Sequence, residues 1–153
     1  MDEQQETVPV VVVGVDGSEH SLEALRWAAR EAGVTGARLH VVTAWSYPEH
    51  PTPFGIVPGL PLPPDPLAEA HRILALTVAR VVGDPAPIEV VAEVIEGEPA
   101  QVLLDASRRA QLLVVGSRGH GTFTGMLLGS VSERCAHHAA CPVVITRRPT
   151  DGP

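Results

Sequence analysis

The chain has 153 residues, 44% of them apolar and only 3% aromatic, and carries a formal net charge of −7. That length suits one domain with a core of Val, Leu, Ile and Ala, and the apolar content is too high for a disordered segment. The charge excludes a general nucleic-acid binder, which needs a basic face, and because all eleven basic residues are Arg, a Walker-type phosphate loop and Schiff-base chemistry are excluded too.

Residues Met1 to Thr7 are polar and acidic, without an apolar signal core. No apolar run approaches the roughly 20 residues that span a bilayer. The expectation is a cytoplasmic protein with no membrane partner. Val8 to Val15 is a β-branched run that reads as a strand buried on both faces. Asp16-Gly17-Ser18 ends it, and a helix is predicted from about Glu19 to Ala32, stopped by Gly33, with Leu22, Leu25, Ala29 and Ala32 on one face. Arg38 to Trp45 is the second strand. Between Ser46 and Pro66 lie eight of the fifteen prolines, so that stretch forms neither helix nor sheet interior; it reads equally as a stiff flap or as a spacer.

Asp65-Pro66 reads as an N-cap with proline at the first helical position. The helix it opens runs to about Val82, with Leu67, Ala70, Leu74, Thr77, Val78 and Val81 inward. Ile88 to Ile95 is a third strand, and Glu98-Pro99 opens a third helix reaching about Arg108. Gln111 to Val115 is a fourth strand, followed by a glycine-rich loop, a helix from Ser130 to His138, and a fifth strand from Pro142 to Thr146. The alternation predicts one α/β domain over residues 7–148, with polar tails at 1–6 and 149–153. Its core is a doubly wound, five-stranded parallel sheet with four helices and right-handed crossovers. Ligands of such sheets sit beyond the carboxyl ends of the strands, where strand order reverses. Asp16-Gly17-Ser18 and the loop at Gly116 fall at such ends.

The fourth strand runs directly into Gly116-Ser117-Arg118-Gly119-His120-Gly121, and Gly129-Ser130-Val131-Ser132 opens the next helix. Glycines let the main chain approach a ligand and adopt positive φ, turning N–H groups inward. A helix N-terminus favours anions, Ser130 and Ser132 add hydroxyl donors, and Arg118 or His120 adds positive charge. The segment is not the dinucleotide fingerprint, since Thr124 stands where a third glycine belongs. Nor is it a Walker loop, because Thr122 follows Gly121.

The spacing Gly116, Gly119, Gly129, Ser130 matches G-x2-G-x9-G-(S/T) and resembles the ATP-binding branch of the universal stress protein family. The likeness runs from Val10-Val11-Val12-Val13-Gly14-Val15-Asp16-Gly17-Ser18, through Glu96-Gly97-Glu98-Pro99-Ala100, to Cys141-Pro142-Val143-Val144-Ile145. It implies a Rossmann-like fold of the adenine nucleotide alpha-hydrolase-like type. It also implies that Asp16 contacts the adenosine moiety and that the main chain at Ala44 meets adenine. By the same resemblance Val115, Gly116, Arg118, Gly119 and His120 wrap ribose and phosphates, while Gly129, Ser130, Val131 and Ser132 take the β- and γ-phosphates. The implied ligand is ATP, with Mg2+ or Mn2+ as family members often carry it. The implied assembly is a homodimer through Val143 to Thr146, and the implied role is regulatory, with little or no hydrolysis. Gln111 departs from the family's usual Asp, at a strand entry away from the ligand.

Other constellations give weaker readings. Asp16 suits a helix cap as well as a ligand contact. Cys135, His137, His138 and Cys141 form a metal-like cluster in sequence, but His137 points away from the Cys135–His138 face and Cys141 begins a strand; both thiols are expected reduced. Ser117 lacks the first glycine of G-x-S-x-G. His120 suits phosphate positioning better than general-base catalysis. Two alternatives stand beside the regulatory reading: a slow ATPase or nucleotidyl transferase, and a cAMP binder of the same fold.

Overall fold

The computed structural model describes residues 7–47, 59, 65–119 and 127–148. The elements run β1 (Val10–Gly14), α1 (Glu19–Thr35), β2 (Arg38–Trp45), α2 (Pro66–Val81), β3 (Val90–Glu96), α3 (Pro99–Ala106), β4 (Leu112–Gly116), α4 (Ser130–His138) and β5 (Val143–Thr146). The strands form one sheet in the order β3-β2-β1-β4-β5, every pair parallel. Chain order therefore reverses between β1 and β4, and their carboxyl ends, Gly14 and Gly116, open side by side. Most of the proline-rich stretch, 48–58 and 60–64, and residues 120–126 of the glycine-rich segment lie outside the described residues.

The sheet separates two cores, as period-2 strands require. Val11, Val13, Leu39, Val41 and Val114 point to α1 and α2, where Ala24, Leu25, Ala28, Ala32 and Leu74 meet them. Val12, Val42, Leu113 and Val115 point the other way, to Val102 and Leu103 of α3 and Cys135 of α4. The central valines are fully buried. Burial on both faces does not extend to the edges: β3 is largely exposed and β5 half-buried. Having a neighbour on one side only, an edge strand is less covered by the helices above and below.

Several boundaries shift for local reasons. β1 starts at Val10, not Val8, whose side chain is exposed; Pro9 between them has no N–H for the ladder. β3 starts at Val90, not Ile88, after Pro85 and Pro87. Gly33 does not stop α1, which continues to Thr35 and ends at Gly36 with φ 72°, its N–H donating to the Ala32 carbonyl. It is the left-handed glycine, not merely the first one, that terminates this helix. α3 ends at Ala106, two residues before Arg108. Among the described residues no helix is long and apolar enough to cross a membrane.

The start of α3 is built by one side chain. Glu98 caps it, its carboxylate accepting from the N–H groups of Ala100 (3.2 Å) and Gln101 (3.0 Å) and from Arg134 of α4 (2.5 Å). Burial pushes the Glu98 carboxyl up, but the two N–H groups and the Arg134 guanidinium outweigh it, and its pKa lies below the ordinary carboxylate range. A lowered native pKa means the contribution is present above the unfolded pKa and is lost as pH falls through the native one. Glu98→Ala is expected to cost about 1 kcal/mol, the usual value of a cap, or about 2–4 °C in Tm for a chain of this size. The deficit should shrink as pH is lowered through the carboxylate range; thermal unfolding of both proteins at pH 7 and pH 3 checks it.

Candidate functional site

The exit of β1 is fixed from both sides. Val15 N–H donates to the Val42 carbonyl (2.9 Å), and the buried Thr43 hydroxyl donates to the Val15 carbonyl (2.9 Å). Asp16 follows, its Oδ1 accepting from the Ser18 N–H at 2.9 Å and its own N–H donating to Ser21 Oγ at 3.3 Å. Gly17 takes φ 83°, and the chain enters α1 through Ser18, whose Oγ accepts from the Ser21 N–H. The N-cap of α1 is thus Ser18, and Asp16 stands two residues before it, with its carboxylate at the rim of the sheet.

The exit of β4 is tied to three elements through Ser117. Its N–H donates to the Thr146 carbonyl of β5 (2.9 Å), and its hydroxyl lies 3.3 Å from His20 Nδ1 of α1. Its carbonyl accepts from the Gly129 N–H (2.7 Å) and from Ser132 Oγ (3.1 Å) at the start of α4. Side-chain oxygens cap α1, α2 and α3, but Gly129 caps α4 with no side-chain acceptor. The N–H groups of its first turn lack the partner that the other three helices supply internally.

The loop glycines differ from expectation in one respect. Gly116, Gly119 and Gly129 do not take positive φ; what marks them is close approach, strictest at Gly116, where the neighbour is main chain. A Cβ on Gly116 would lie 2.7 Å from the His20 main chain, one on Gly119 2.6 Å from Asp16 Oδ2, and one on Gly129 3.3 Å from the Arg118 Cα. Both Asp16 and His20 thus press against glycine Cα atoms of the other strand exit.

Between these exits lies a cavity of about 530 Å3, within the range of small-molecule sites. Asp16, Ala44, Val115, Gly116, Arg118, Gly119, Gly129, Ser130, Val131 and Ser132 all line it; His120 lies outside the described residues. Among the described residues Gly14, Val15, Ser21, Val42, Glu98, Pro99 and Leu103 also line it. The sequence reading assigned those seven no contact, although Glu96 to Ala100 was part of the resemblance. The cavity has an apolar end at Val42, Ala44, Leu103 and Val115, and a polar end of glycine main chain and the first turn of α4. An amphiphilic ligand with an apolar planar part and an anionic part fits that gradient. The charged groups nearly cancel: Asp16 and Glu98 against Arg118 on the wall and Arg134 behind Glu98.

A model of the universal stress protein family matches residues 8–147. The chain belongs to the universal stress protein family. It is 40% identical over 138 residues to universal stress protein Rv2005c of Mycobacterium tuberculosis, covering 90% of this chain and 45% of that one. It is 36% identical over 140 residues to a universal stress protein of Mycolicibacterium smegmatis, covering 88% of this chain and 47% of the relative. The chain spans about half the length of the curated relatives it matches. Among solved structures, a universal stress protein in complex with cAMP superposes with a TM-score of 0.68 at 30% identity, covering 92% of this chain and 97% of that one. Protein MJ0577, at 14% identity and a TM-score of 0.71, shares the fold over 94% of this chain and 98% of its own.

In this universal stress protein the cysteine–histidine cluster does not assemble. Cys135 is fully buried and Cys141 half-buried, while His137 and His138 are exposed. Among the described residues no group of three or more His, Cys, Asp or Glu is placed to hold a metal ion. Burial pushes the Cys135 thiol up to about 11, so almost no thiolate exists at neutral pH to ligate or react. A second hollow, about 400 Å3, lies between α3 and α4 on the outer surface. Its Arg108 and Arg134 already pair with Asp105 and Glu98, whereas the switch-point cavity presents main-chain donors.

Proposed function

We propose that this universal stress protein binds ATP in the switch-point cavity and acts as a nucleotide-dependent regulator with little or no hydrolysis. The observation that carries this is the pairing of three closely approached glycines, Gly116, Gly119 and Gly129, with the side-chain-uncapped N-terminus of α4, at one end of an apolar cleft. Adenine would lie at Ala44 and Val42, ribose against Asp16, and the phosphates along Gly116, Arg118, Gly119 and the first turn of α4. His120 is assigned to the same phosphate loop by the family resemblance.

A divalent ion fits this reading through the phosphates. The cavity's two carboxylates are Asp16, exposed, and Glu98, already engaged by two N–H groups and Arg134. Mg2+ and Mn2+ with one protein carboxylate and phosphate oxygens is ordinary nucleotide chemistry. Because the cavity's own charges nearly cancel, a tetra-anionic nucleotide needs that ion to bind well. We place the protein in the cytoplasm. We also propose a homodimer through β5, an edge strand whose free side has ladder groups to offer; relatives of about twice the length agree with a two-domain unit.

The experiment is mass spectrometry of nucleotide released on denaturation, with calorimetric titration of ATP with and without Mg2+ and light scattering for mass. The expected result is ATP, with micromolar or tighter affinity that weakens in chelator, on a protein of dimer mass. The second reading, a cAMP binder, is favoured by the 30%-identical relative in complex with cAMP. It holds if cAMP binds more tightly than ATP. No heat with either ligand refutes both readings.

A further inference from the structure

We propose that Ser132 positions the phosphate-binding turn instead of ligating phosphate itself; the proposal rests on the nucleotide reading above. Ser132 is 2% exposed. Its hydroxyl proton is shared between the Gly129 carbonyl at 2.9 Å and the Ser117 carbonyl at 3.1 Å. A serine hydroxyl has one proton, so none is left for a phosphate oxygen. Its remaining lone pairs repel one.

The Ser117 carbonyl has two lone pairs, and both are used by the start of α4: one by the Gly129 N–H at 2.7 Å, the other by Ser132 Oγ. Ser117 is itself held, through its N–H on Thr146 of β5 and its hydroxyl beside His20 of α1. The first turn of α4 is therefore clamped to a strand end that the sheet and α1 have already fixed. The clamp closes the excursion between residues 117 and 129 at its base, independently of the path between. It sets the direction in which the N–H groups of Ser130 and Val131 point. Ser130, exposed at the cavity wall, remains the hydroxyl that can reach phosphate.

Removing the Ser132 hydroxyl leaves neither carbonyl empty: Ser117 keeps the Gly129 N–H, and Gly129 keeps the Glu133 N–H at 3.0 Å. Ser132→Ala should fold, and its effect should be confined to the phosphate end. The test compares ATP–Mg2+ and AMP affinities of the wild type, Ser132→Ala and Ser130→Ala, with amide exchange of each protein free of nucleotide. The expected result for Ser132→Ala is ATP binding about 10-fold weaker, AMP binding within about twofold, and faster exchange at Gly129 with β1 and β4 amides unchanged. Ser130→Ala should weaken ATP while leaving Gly129 exchange as it was. Equal losses for ATP and AMP, or unchanged Gly129 exchange, overturn the clamp. Wild-type protein that binds neither nucleotide overturns the functional reading and the phosphate role, whereas accelerated Gly129 exchange would still establish the clamp on its own.

Discussion

Gly119→Ala is expected to weaken ATP binding at least about 100-fold, about 2.7 kcal/mol, while leaving the unfolding midpoint within about 2 °C of wild type. A Cβ at this position would lie 2.6 Å from Asp16 Oδ2, and among the described residues the next nearest atom is Asp16 Cγ at 3.8 Å. The obstacle is thus the far end of a side chain exposed at the rim, which can swing away at small cost to the fold. On the proposed reading, swinging it away removes the carboxylate from beside ribose, and the new methyl group stands where phosphates would approach. Gly119→Val should do the same more strongly; φ at Gly119 is not positive, so the effect is obstruction, not backbone strain. Calorimetric titration with ATP–Mg2+ alongside a thermal melt checks both halves. Wild-type affinity in a folded variant would remove Asp16 and Gly119 from the site.

The complementary substitution three residues earlier is expected to act the other way round. Gly116→Ala would place its Cβ 2.7 Å from the carbonyl carbon and oxygen of His20, in the first turn of α1, and 2.9 Å from the His20 Cβ. Main chain cannot rotate out of the way as Asp16 can. Either α1 moves off the end of β4 or the strand end bends, and both disturb the core shared by Val114 and the α1 alanines. Overpacking of this kind costs about 3 kcal/mol, which lowers Tm by about 6–12 °C in a domain of this size. Chemical denaturation should show a lower midpoint with an unchanged slope. A variant as stable as wild type would mean that β4 and α1 are less tightly apposed than the structure has them.

These two glycines mark the line between what was legible in sequence and what was not. The G-x2-G-x9-G-S spacing marked Gly116 and Gly119 as candidate ligand contacts, because it sets glycines directly after a buried strand at a fixed distance from a Gly-Ser helix start, and both line the switch-point cavity. Of the two reasons expected for glycine, close approach holds, here to protein atoms, and positive φ does not. Whether a Cβ fits depends on which atoms of α1 and of the β1 exit come near, and those lie about a hundred residues away in the chain. Positive φ belongs instead to Gly17, Gly36 and Gly97 among others, where local turns demand it.

The same division runs through the rest of the molecule. Alternating β-branched runs and amphipathic stretches settle the element order, and two strand exits carrying Asp16 and Gly116 point to the end of the sheet where the cavity lies. Both follow from periodicity and turn chemistry, which act over a few residues. The exposed edge face of β3, Leu103 and Glu98 in the cavity wall, and the Ser132 hydroxyl spent on Ser117 were decided only by tertiary structure. Each depends on where α3 and α4 come to rest on the sheet. Strand order alone fixes that: with β1 at the centre and β4 beside it, crossovers in opposite directions put α3 and α4 on the face that α1 and α2 leave open. The start of α4 then lies across the exit of β4.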